Sequence, residues 1–345
     1  MSCIVNVAYP FAPASLDTVG GAEQILSRLD QALVQNGHDS IVIACEGSQA
    51  AGHLFTIPRP RTVITEEAKS HYYSIYQQLI RETLKRFSVD LVHLHGVDFY
   101  RYLPKTDLPV LVTLHLPISF YPRSIFDLCA VWFQCVSEEQ HKNCPAAGKL
   151  LPAIPNGVPV ELTFHHSRKR NFAIVLSRIA PEKNIHGAID AAKLAKTALL
   201  IGGEVFAYED HLHYYQAVVA PRLSAQCRFL GPLKQKRKWR LLRAASCLVQ
   251  PSIAEETSSL VAMEALACGT PVVAFPSGAL PTIVEHGRTG FIVRDIAEMA
   301  EALGKVHNIN PEDCRKAARS RFSLHQMVER YFYTYEKLIN SGAIA

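Results

Sequence analysis

The feature that most restricts the fold of this chain is an alternation of short apolar runs with longer stretches of helical period. The runs are rich in Val, Ile and Leu, and four of the ten are apolar throughout, which is typical of strands in a sheet covered on both faces. Strands that alternate with helices predict βα units on a parallel sheet, joined by right-handed crossovers. The expected strands are Cys3–Ala8, Ser40–Ala44, Leu91–His95, Val110–Leu114, Val131–Val136, Ala173–Leu176, Ala198–Ile201, Cys227–Leu230, Cys247–Val249 and Val272–Phe275.

The stretches between these runs carry the helical pattern. In Ala22–Gln35 one face carries Ile25, Leu26, Leu29 and Leu33, and Gly37 follows as a stop signal. Similar patterns predict helices over Thr65–Phe87, Asn184–Lys196 and Leu324–Ile339. The aromatic residues of the last helix are spaced for packing.

The chain length and a break near its middle predict two domains. At roughly 100–200 residues per domain, 345 residues correspond to two. The turn Asn156–Pro159 and the polar stretch His165–Arg170 interrupt the βα pattern, which restarts at Phe172. We therefore expect an α/β protein with two doubly wound domains, residues 1–164 and 165–322, and a C-terminal helix, residues 323–345, that packs toward the first domain.

Composition excludes several classes of protein. Hydrophobic residues make up 48% and charged residues 19%, which is typical of a globular chain. The net charge of +5 is too small to indicate a nucleic-acid partner. The first residues read as a strand, not a signal peptide, and no apolar run is long enough to span a membrane. Nine cysteines without a CxxC pair indicate reduced, buried thiols, so we expect a cytoplasmic protein.

The segment after the strand Cys247–Val249 is the most informative part of the sequence. Thr257 and Ser258 are the expected helix caps. The backbone amides of Ser258, Ser259 and Leu260 are then expected to form an anion site at the helix N-terminus.

Two carboxylates flank this expected anion site. Glu264 lies about two turns into the helix, and side chains of a helix lean toward its N-terminus. Glu256 lies in the loop before the helix. Acids beside an anion site are unfavourable unless they bind hydroxyl groups, so the pair indicates a phosphorylated sugar as ligand.

Several motifs in this order resemble those of the family 4 retaining glycosyltransferases. The resemblance covers nearly the whole chain and implies the GT-B fold, in which two Rossmann-like domains face each other across a cleft. The matching motifs are Val19–Glu23, Asn156–Val158, Ser177–Asn184 and Glu256-x7-Glu264 followed by Ala265–Val272.

The sequence departs from the family pattern at two places. Thr257–Ser259 stands where the family usually has Gly-Phe-Gly, and Ser177 and Asn184 stand where glycines are common. Because backbone amides suffice to bind a phosphate, we expect binding to persist in a narrower pocket.

The resemblance implies a role for each matching residue. Arg178 and Lys183 would neutralise the donor diphosphate, whose negative charge grows as the glycosidic bond breaks. Glu264 would hold the ribose hydroxyls, and Glu256 would bind the donor sugar. The full set of implied donor-binding residues is Gly20, Gly21, Arg178, Lys183, Ser258, Ser259, Leu260 and Glu264.

Histidines end two of the expected strands. By resemblance, His115 is the active-site histidine and, with Glu256, a catalytic residue. His93 and His95 share one face of their strand, where we expect them to line the cleft or to pack, since no third metal ligand is apparent. The same interpretation applies to His211, His213 and the pair at 165–166. The family needs no metal, so neither a metal nor another cofactor is expected.

The implied activity is transfer of a sugar, with retention, from a nucleotide-diphosphate sugar to an acceptor hydroxyl. A UDP-sugar is favoured and a GDP-sugar is second. Three classes of acceptor are possible, namely a saccharide, a lipid-linked saccharide and a small molecule, and the acceptor would meet loops such as Leu116–Arg123.

The alternative functions are a sugar-nucleotide epimerase of the same fold and an inactive nucleotide-sugar-binding protein. An NAD-dependent oxidoreductase is disfavoured because Gly20-Gly21 and Gly202-Gly203 lack the GxGxxG spacing.

One basic segment has several interpretations. Lys234–Arg240 contains five basic residues in seven. They form a solvated helix face, attract nucleotide phosphates, or contact an anionic acceptor or the inner membrane surface peripherally. Trp239 packs inward or touches lipid, and the sequence leaves these alternatives open.

Overall fold

The chain folds into two compact units. The computed structural model describes residues 1–59, 66–146, 148–163 and 168–342. Unit 1 comprises Met1–Pro155 and Val328–Ala345, and unit 2 comprises Asn156–Met327. The boundary expected between residues 164 and 165 lies outside the described residues, and the domain limits stay a prediction.

Unit 1 contains a six-stranded sheet in which every pairing is parallel. Its strands are β1 (Cys3–Val7), β2 (Asp39–Cys45), β3 (His53–Ile57), β4 (Leu91–Leu94), β5 (Val110–Leu114) and β6 (Val131–Cys135). Its helices are α1 (Gly21–Gln35), α2 (Glu66–Arg86) and α3 (Glu138–Asn143), together with most of the last helix of the chain.

Unit 2 contains a second six-stranded parallel sheet. Its strands are β7 (Phe172–Leu176), β8 (Ala198–Gly202), β9 (Cys227–Phe229), β10 (Cys247–Gln250), β11 (Val272–Ala274) and β12 (Gly290–Ile292). Its helices are α4 (Ile185–Leu194), α5 (Glu209–His213), α6 (Gln235–Ala244), α7 (Leu260–Ala267), α8 (Leu280–Ile283), α9 (Ile296–Lys305) and α10 (Pro311–Arg321). The last helix, α11 (Leu324–Gly342), begins in this unit.

The two sheets have the same strand order. Unit 1 runs β3-β2-β1-β4-β5-β6, and unit 2, from its other edge, runs β9-β8-β7-β10-β11-β12. This is the order of a doubly wound, dinucleotide-binding sheet, in which the strand order reverses at the centre. The predicted α/β architecture with two doubly wound sheets is confirmed.

Two edge strands were not among the predicted ones. β3 is largely exposed, with Ile57 as its one buried residue, and β12 has only three residues. Continuous apolar runs are typical of central strands because both of their faces are buried. An edge strand with one wet face lacks that signature.

The core of unit 2 lies on both faces of its sheet. Ile174 of β7 packs in one apolar cluster with residues of α7, whereas Ala173 and Val175 pack in another with residues of α4 and α9. This alternation is the two-residue period of a strand buried on both sides.

All nine cysteines are free, and the predicted burial holds for most of them. Seven of the nine are buried, Cys144 is partly buried, and Cys129 is exposed. Burial raises the pKa of Cys247 to about 12, so its thiol stays protonated at neutral pH. In the part of the chain that the structure describes, we find no helix with the length and apolar character needed to cross a membrane.

A glycine after β11 fixes the backbone of an expected site residue. Gly278 has a φ of +51°, in the left-handed region that favours glycine. The backbone of Glu256 lies against its α-carbon, where a Cβ would overlap it. The neighbouring amide of Ala279 donates to the carbonyl oxygen of Glu256 at 2.7 Å.

We predict that Gly278→Ala lowers the free energy of unfolding by about 1–3 kcal/mol more than Gly287→Ala does. Gly287 is the matched control because it also has a positive φ, of +79°, but open space around its α-carbon. Urea unfolding of both variants measures the difference. An equal loss of unfolding free energy in the two variants would show that contact with the Glu256 backbone does not affect stability.

Candidate active site

The predicted site residues of unit 2 lie beyond the carboxyl ends of its two central strands. The loop after β7 and the loop after β10 are joined there, because the amide of Ile253 donates to the carbonyl oxygen of Glu182 at 3.0 Å. The amide of Ile179 donates to Glu204, in the loop after β8, at 2.9 Å. In doubly wound sheets, ligands bind at this edge where the strand order reverses.

Lys183 is held by a short turn. Pro181–Lys183 form one turn of 3₁₀ helix, and Asn184 follows with a φ of 50°. Asparagine is among the few non-glycine residues that enter this left-handed region readily, which explains how it replaces the family's glycine. Gly187 leaves room for the Asn184 side chain.

Lys183 and Glu256 form an ion pair. The distance between Lys183 Nζ and Glu256 Oε1 is 2.5 Å, and their side chains are only 16% and 11% exposed. Arg178 lies on the same loop as Lys183 and pairs with Glu182 at 3.5 Å. The structure therefore brings together the cation and the acid that the motifs singled out, with a second, more exposed cation on the same loop.

The start of α7 differs from the prediction. Ser259 is the N-cap, and its hydroxyl oxygen accepts from the amide of Ala262 at 3.4 Å. The prediction that Thr257 and Ser258 cap the helix was wrong, since Ser259 still has an extended backbone and the helix begins at Leu260. The hydroxyl of Ser258 is buried and makes no hydrogen bond with the described residues.

Glu264 has a partner that the sequence analysis did not identify. Lys238 of α6 donates to Glu264 Oε1 at 2.6 Å, and the two side chains are 13% and 2% exposed. The signal was in the sequence: Lys238 lies four residues before the apolar Leu242, hence on the same face of the helix. Leu242 is buried.

The other basic residues of this segment stay at the surface, whereas its tryptophan does not. Trp239 packs inward, and its indole N–H donates to Gln235 at 2.6 Å. Of the two alternatives that the sequence left open, inward packing and contact with lipid, the structure shows inward packing. The exposed members of the segment are Lys234, Lys236, Arg237 and Arg240.

In unit 1, the glycine loop leads into α1. Gly20 is the N-cap, and Gly21 is the first helical residue and is exposed. Glu23 lies in the first turn, with its carboxylate against the α-carbon of Gly20. An acid three residues after the N-cap is placed to reach back to the cap.

Three histidines stack at the ends of β4 and β5. His93 hydrogen-bonds through Nδ1 to Tyr335 at 2.8 Å and through Nε2 to Thr113 at 2.7 Å. His95 Nδ1 lies 3.0 Å from His115 Nε2, and these two rings are nearly parallel at 22°. Removal from water lowers the pKa of His115 to about 3 and holds those of His93 and His95 well below the usual value.

Burial shows where the other histidines that the sequence singled out lie. His93 and His95 are buried, so both pack inside unit 1. His211 is buried and His213 is exposed, in the short helix α5. The pair at 165–166 lies outside the described residues. Within residues 1–59, 66–146, 148–163 and 168–342, no three His, Cys, Asp or Glu side chains are grouped to hold a metal ion.

We predict that Lys238→Ala lowers the free energy of unfolding by about 3–5 kcal/mol, because it leaves the Glu264 carboxylate buried without its cation. Adding Glu264→Gln removes that charge and should recover part of the loss. The control is Lys305→Ala, which breaks an exposed pair with Glu301 and should cost about 0–1 kcal/mol. Chemical unfolding of the three variants tests this, and equal losses for Lys238 and Lys305 would contradict it.

Family models match two consecutive parts of the chain. The model described as Glycosyltransferase Family 4 matches residues 19–162, and that described as Glycosyl transferases group 1 matches residues 163–321. The resemblance drawn from the motifs is thereby confirmed.

Three known proteins show how far the similarity extends. A D-inositol 3-phosphate glycosyltransferase of Corynebacterium jeikeium is 34% identical over 154 residues, which cover 42% of this chain and only 36% of that relative. A phosphatidyl-myo-inositol mannosyltransferase of Mycobacterium tuberculosis is 24% identical, covering 96% of this chain and 97% of the relative. The crystal structure of Anabaena HepE in complex with UDP-glucose is similar in fold, with a TM-score of 0.75 at 17% identity, covering 98% and 100% of the two chains.

Together with the two parallel sheets, these matches show that the chain belongs to the family 4 glycosyltransferases and is a glycosyltransferase with the two-domain, Rossmann-like GT-B fold.

Proposed function

We propose that this glycosyltransferase is a retaining enzyme that takes a sugar from a nucleotide-diphosphate donor, with UDP as the favoured nucleotide and GDP second. The observation that carries the proposal is the Lys183–Glu256 ion pair, 2.5 Å long, beyond the central strands β7 and β10 of unit 2. A cation there would meet the diphosphate, and the acid would meet sugar hydroxyls. The complex of Anabaena HepE with UDP-glucose supports UDP as the first nucleotide to test.

The remaining donor contacts follow from the same edge of the sheet. Arg178 is about a third exposed and would neutralise the second phosphate. Glu264, oriented by Lys238, would accept hydrogen bonds from the ribose hydroxyls. The backbone at Ser258, Ser259 and Leu260, where α7 begins, would bind phosphate oxygens.

In the proposed reaction the acceptor hydroxyl attacks the face of the sugar that the diphosphate leaves. The bond from the anomeric carbon to the diphosphate breaks, and the bond to the acceptor oxygen forms on the same face. The hydroxyl proton passes to a departing phosphate oxygen, so no protein nucleophile is required. Fixed cations stabilise the charge that develops on the leaving group.

Unit 1 would contribute His115 near the donor sugar and the backbone of Gly20 and Gly21 near phosphate, as the family resemblance implies. The acceptor stays within three classes: a saccharide, a lipid-linked saccharide or a small molecule. Two relatives are named for an inositol phosphate and for phosphatidyl-myo-inositol, so a polyol phosphate is the first acceptor to test.

A cytoplasmic location, with peripheral contact of the inner membrane face through Lys234–Arg240, is the last part of the proposal. Four of the five cations in this segment are exposed, whereas Lys238 turns inward to Glu264. Any such contact would therefore rest on charge, without insertion of Trp239.

The proposal is tested by incubating the protein with UDP-sugars and GDP-sugars and measuring free nucleotide diphosphate, with and without polyol phosphates. We expect release from at least one donor, and kcat/KM to fall about 10²–10³-fold in Lys183→Ala. Arg222→Ala is the matched control, because Arg222 pairs with Asp190 at an exposed site in the same unit and should leave kcat/KM unchanged.

Two outcomes would contradict this proposal. Nucleotide binding without release from any donor would favour the inactive binding protein. An unchanged kcat/KM in a folded Lys183→Ala variant would mean that Lys183 does not meet the diphosphate, whatever stability the variant loses with the Glu256 ion pair.

We also predict that EDTA leaves the activity intact, because Arg178 and Lys183 take the role that a divalent cation has in other nucleotide-sugar enzymes. Turnover is measured before and after dialysis against EDTA, with added Mg²⁺ or Mn²⁺ as the comparison. A strict requirement for either ion would overturn the roles of both residues.

A further inference from the structure

The histidine stack of unit 1 contains a hydrogen bond whose direction can be derived. His95 lies directly after β4 and His115 directly after β5, and neighbouring parallel strands bring their ends side by side. His95 Nδ1 and His115 Nε2 are 3.0 Å apart, which is a hydrogen-bond distance. Only one of these two nitrogens can carry the shared proton.

Both rings are neutral at physiological pH. Burial holds the pKa of His95 well below its ordinary value, with smaller contributions from His93 and His115, and burial lowers the pKa of His115 to about 3. The groups packed against the stack are neutral as well: Thr113, Tyr331 and Tyr335, together with the His93 ring 3.9 Å from His95. Each imidazole therefore has one N–H and one lone pair.

Two arrangements of the protons fit this hydrogen bond. In the first, His95 Nδ1–H donates to His115 Nε2, and His95 Nε2 has only a lone pair. In the second, His115 Nε2–H donates to His95 Nδ1, and the proton of His95 lies on Nε2.

The surroundings of His95 Nε2 decide between them. This atom is buried and forms no hydrogen bond within the described residues, and His95 as a whole is 2% exposed. A buried N–H without an acceptor is rarer and more costly than a buried lone pair without a donor. The second arrangement would create such an N–H, whereas the first avoids it.

We propose that His95 is a positioning residue for His115: its Nδ1–H donates to His115 Nε2, which keeps the His115 proton on Nδ1 and prevents Nε2 from acting as a base. His115 then serves the reaction as a fixed ring with an N–H at Nδ1, and the acceptor proton has to go elsewhere. The consequence for catalysis rests on the proposed function, whereas the direction of the hydrogen bond does not.

The first test is the tautomer of each ring, measured without substrate. The full chain is labelled with ¹⁵N-histidine, and long-range ¹H–¹⁵N correlations are recorded near neutral pH. Since the chain has 15 histidines, His95→Asn and His115→Asn variants identify the two signals. We expect both rings in the Nδ1–H form. A His115 ring with its proton on Nε2, or averaged between the nitrogens, would overturn the proposal.

The second test compares two substitutions of His95. Asparagine places an amide N–H the same number of bonds from Cβ as Nδ1, whereas leucine fills the space without a donor. We expect His95→Asn to keep kcat within about threefold, and His95→Leu to lower kcat about tenfold or more with donor KM nearly unchanged. Equal losses in both variants would mean that His95 has only a packing role.

The two tests separate the proposal from the proposed function. If the protein releases no nucleotide from any donor, the proposed function fails, and the tautomer still decides the hydrogen bond. If His95→Leu does not fold, the labelled native chain and the asparagine variant decide it.

Discussion

The parallel pairing of β7 with β10 is the constraint on which the proposed donor site depends. These strands are neighbours in the sheet but distant in the chain, and strand order reverses between them. The connections that follow them run to opposite sides, so their first loops are left together at one edge. Lys183 comes from one of these loops and Glu256 from the other. Among the described residues, neither side chain forms an ion pair within its own βα unit. The order of the strands in the sheet places each one beside the other.

Charge compensation organises the space around this edge. A carboxylate or an ammonium group that is largely removed from water needs an opposite charge nearby. Lys183 has Glu256, and Glu264 has Lys238. Each acid is thus oriented before any ligand arrives, which reduces the ordering that binding would otherwise require. The two lysines come from different elements, so this edge draws on a helix as well as on loops.

Much of this organisation was readable in the sequence, for identifiable reasons. Lys183 and Glu256 lie in family motifs, so both could be singled out from the sequence. Lys238 lies in a segment where every residue but two is basic, so composition hides the one lysine that turns inward. Thr257, Ser258 and Ser259 are all residue types that cap helices, so residue type alone does not select Ser259. The hydrogen bond between His95 and His115 depends on ring orientation, for which no sequence pattern exists.

The glycine loop of unit 1 has a consequence for affinity. At the start of α1, a carboxylate from the same helix already lies beside Gly20. An incoming anion at that helix end would compete with this internal acid, because both are attracted by the same positive end of the helix dipole. The net affinity would then be the difference between two similar interactions, which favours rapid exchange over tight retention.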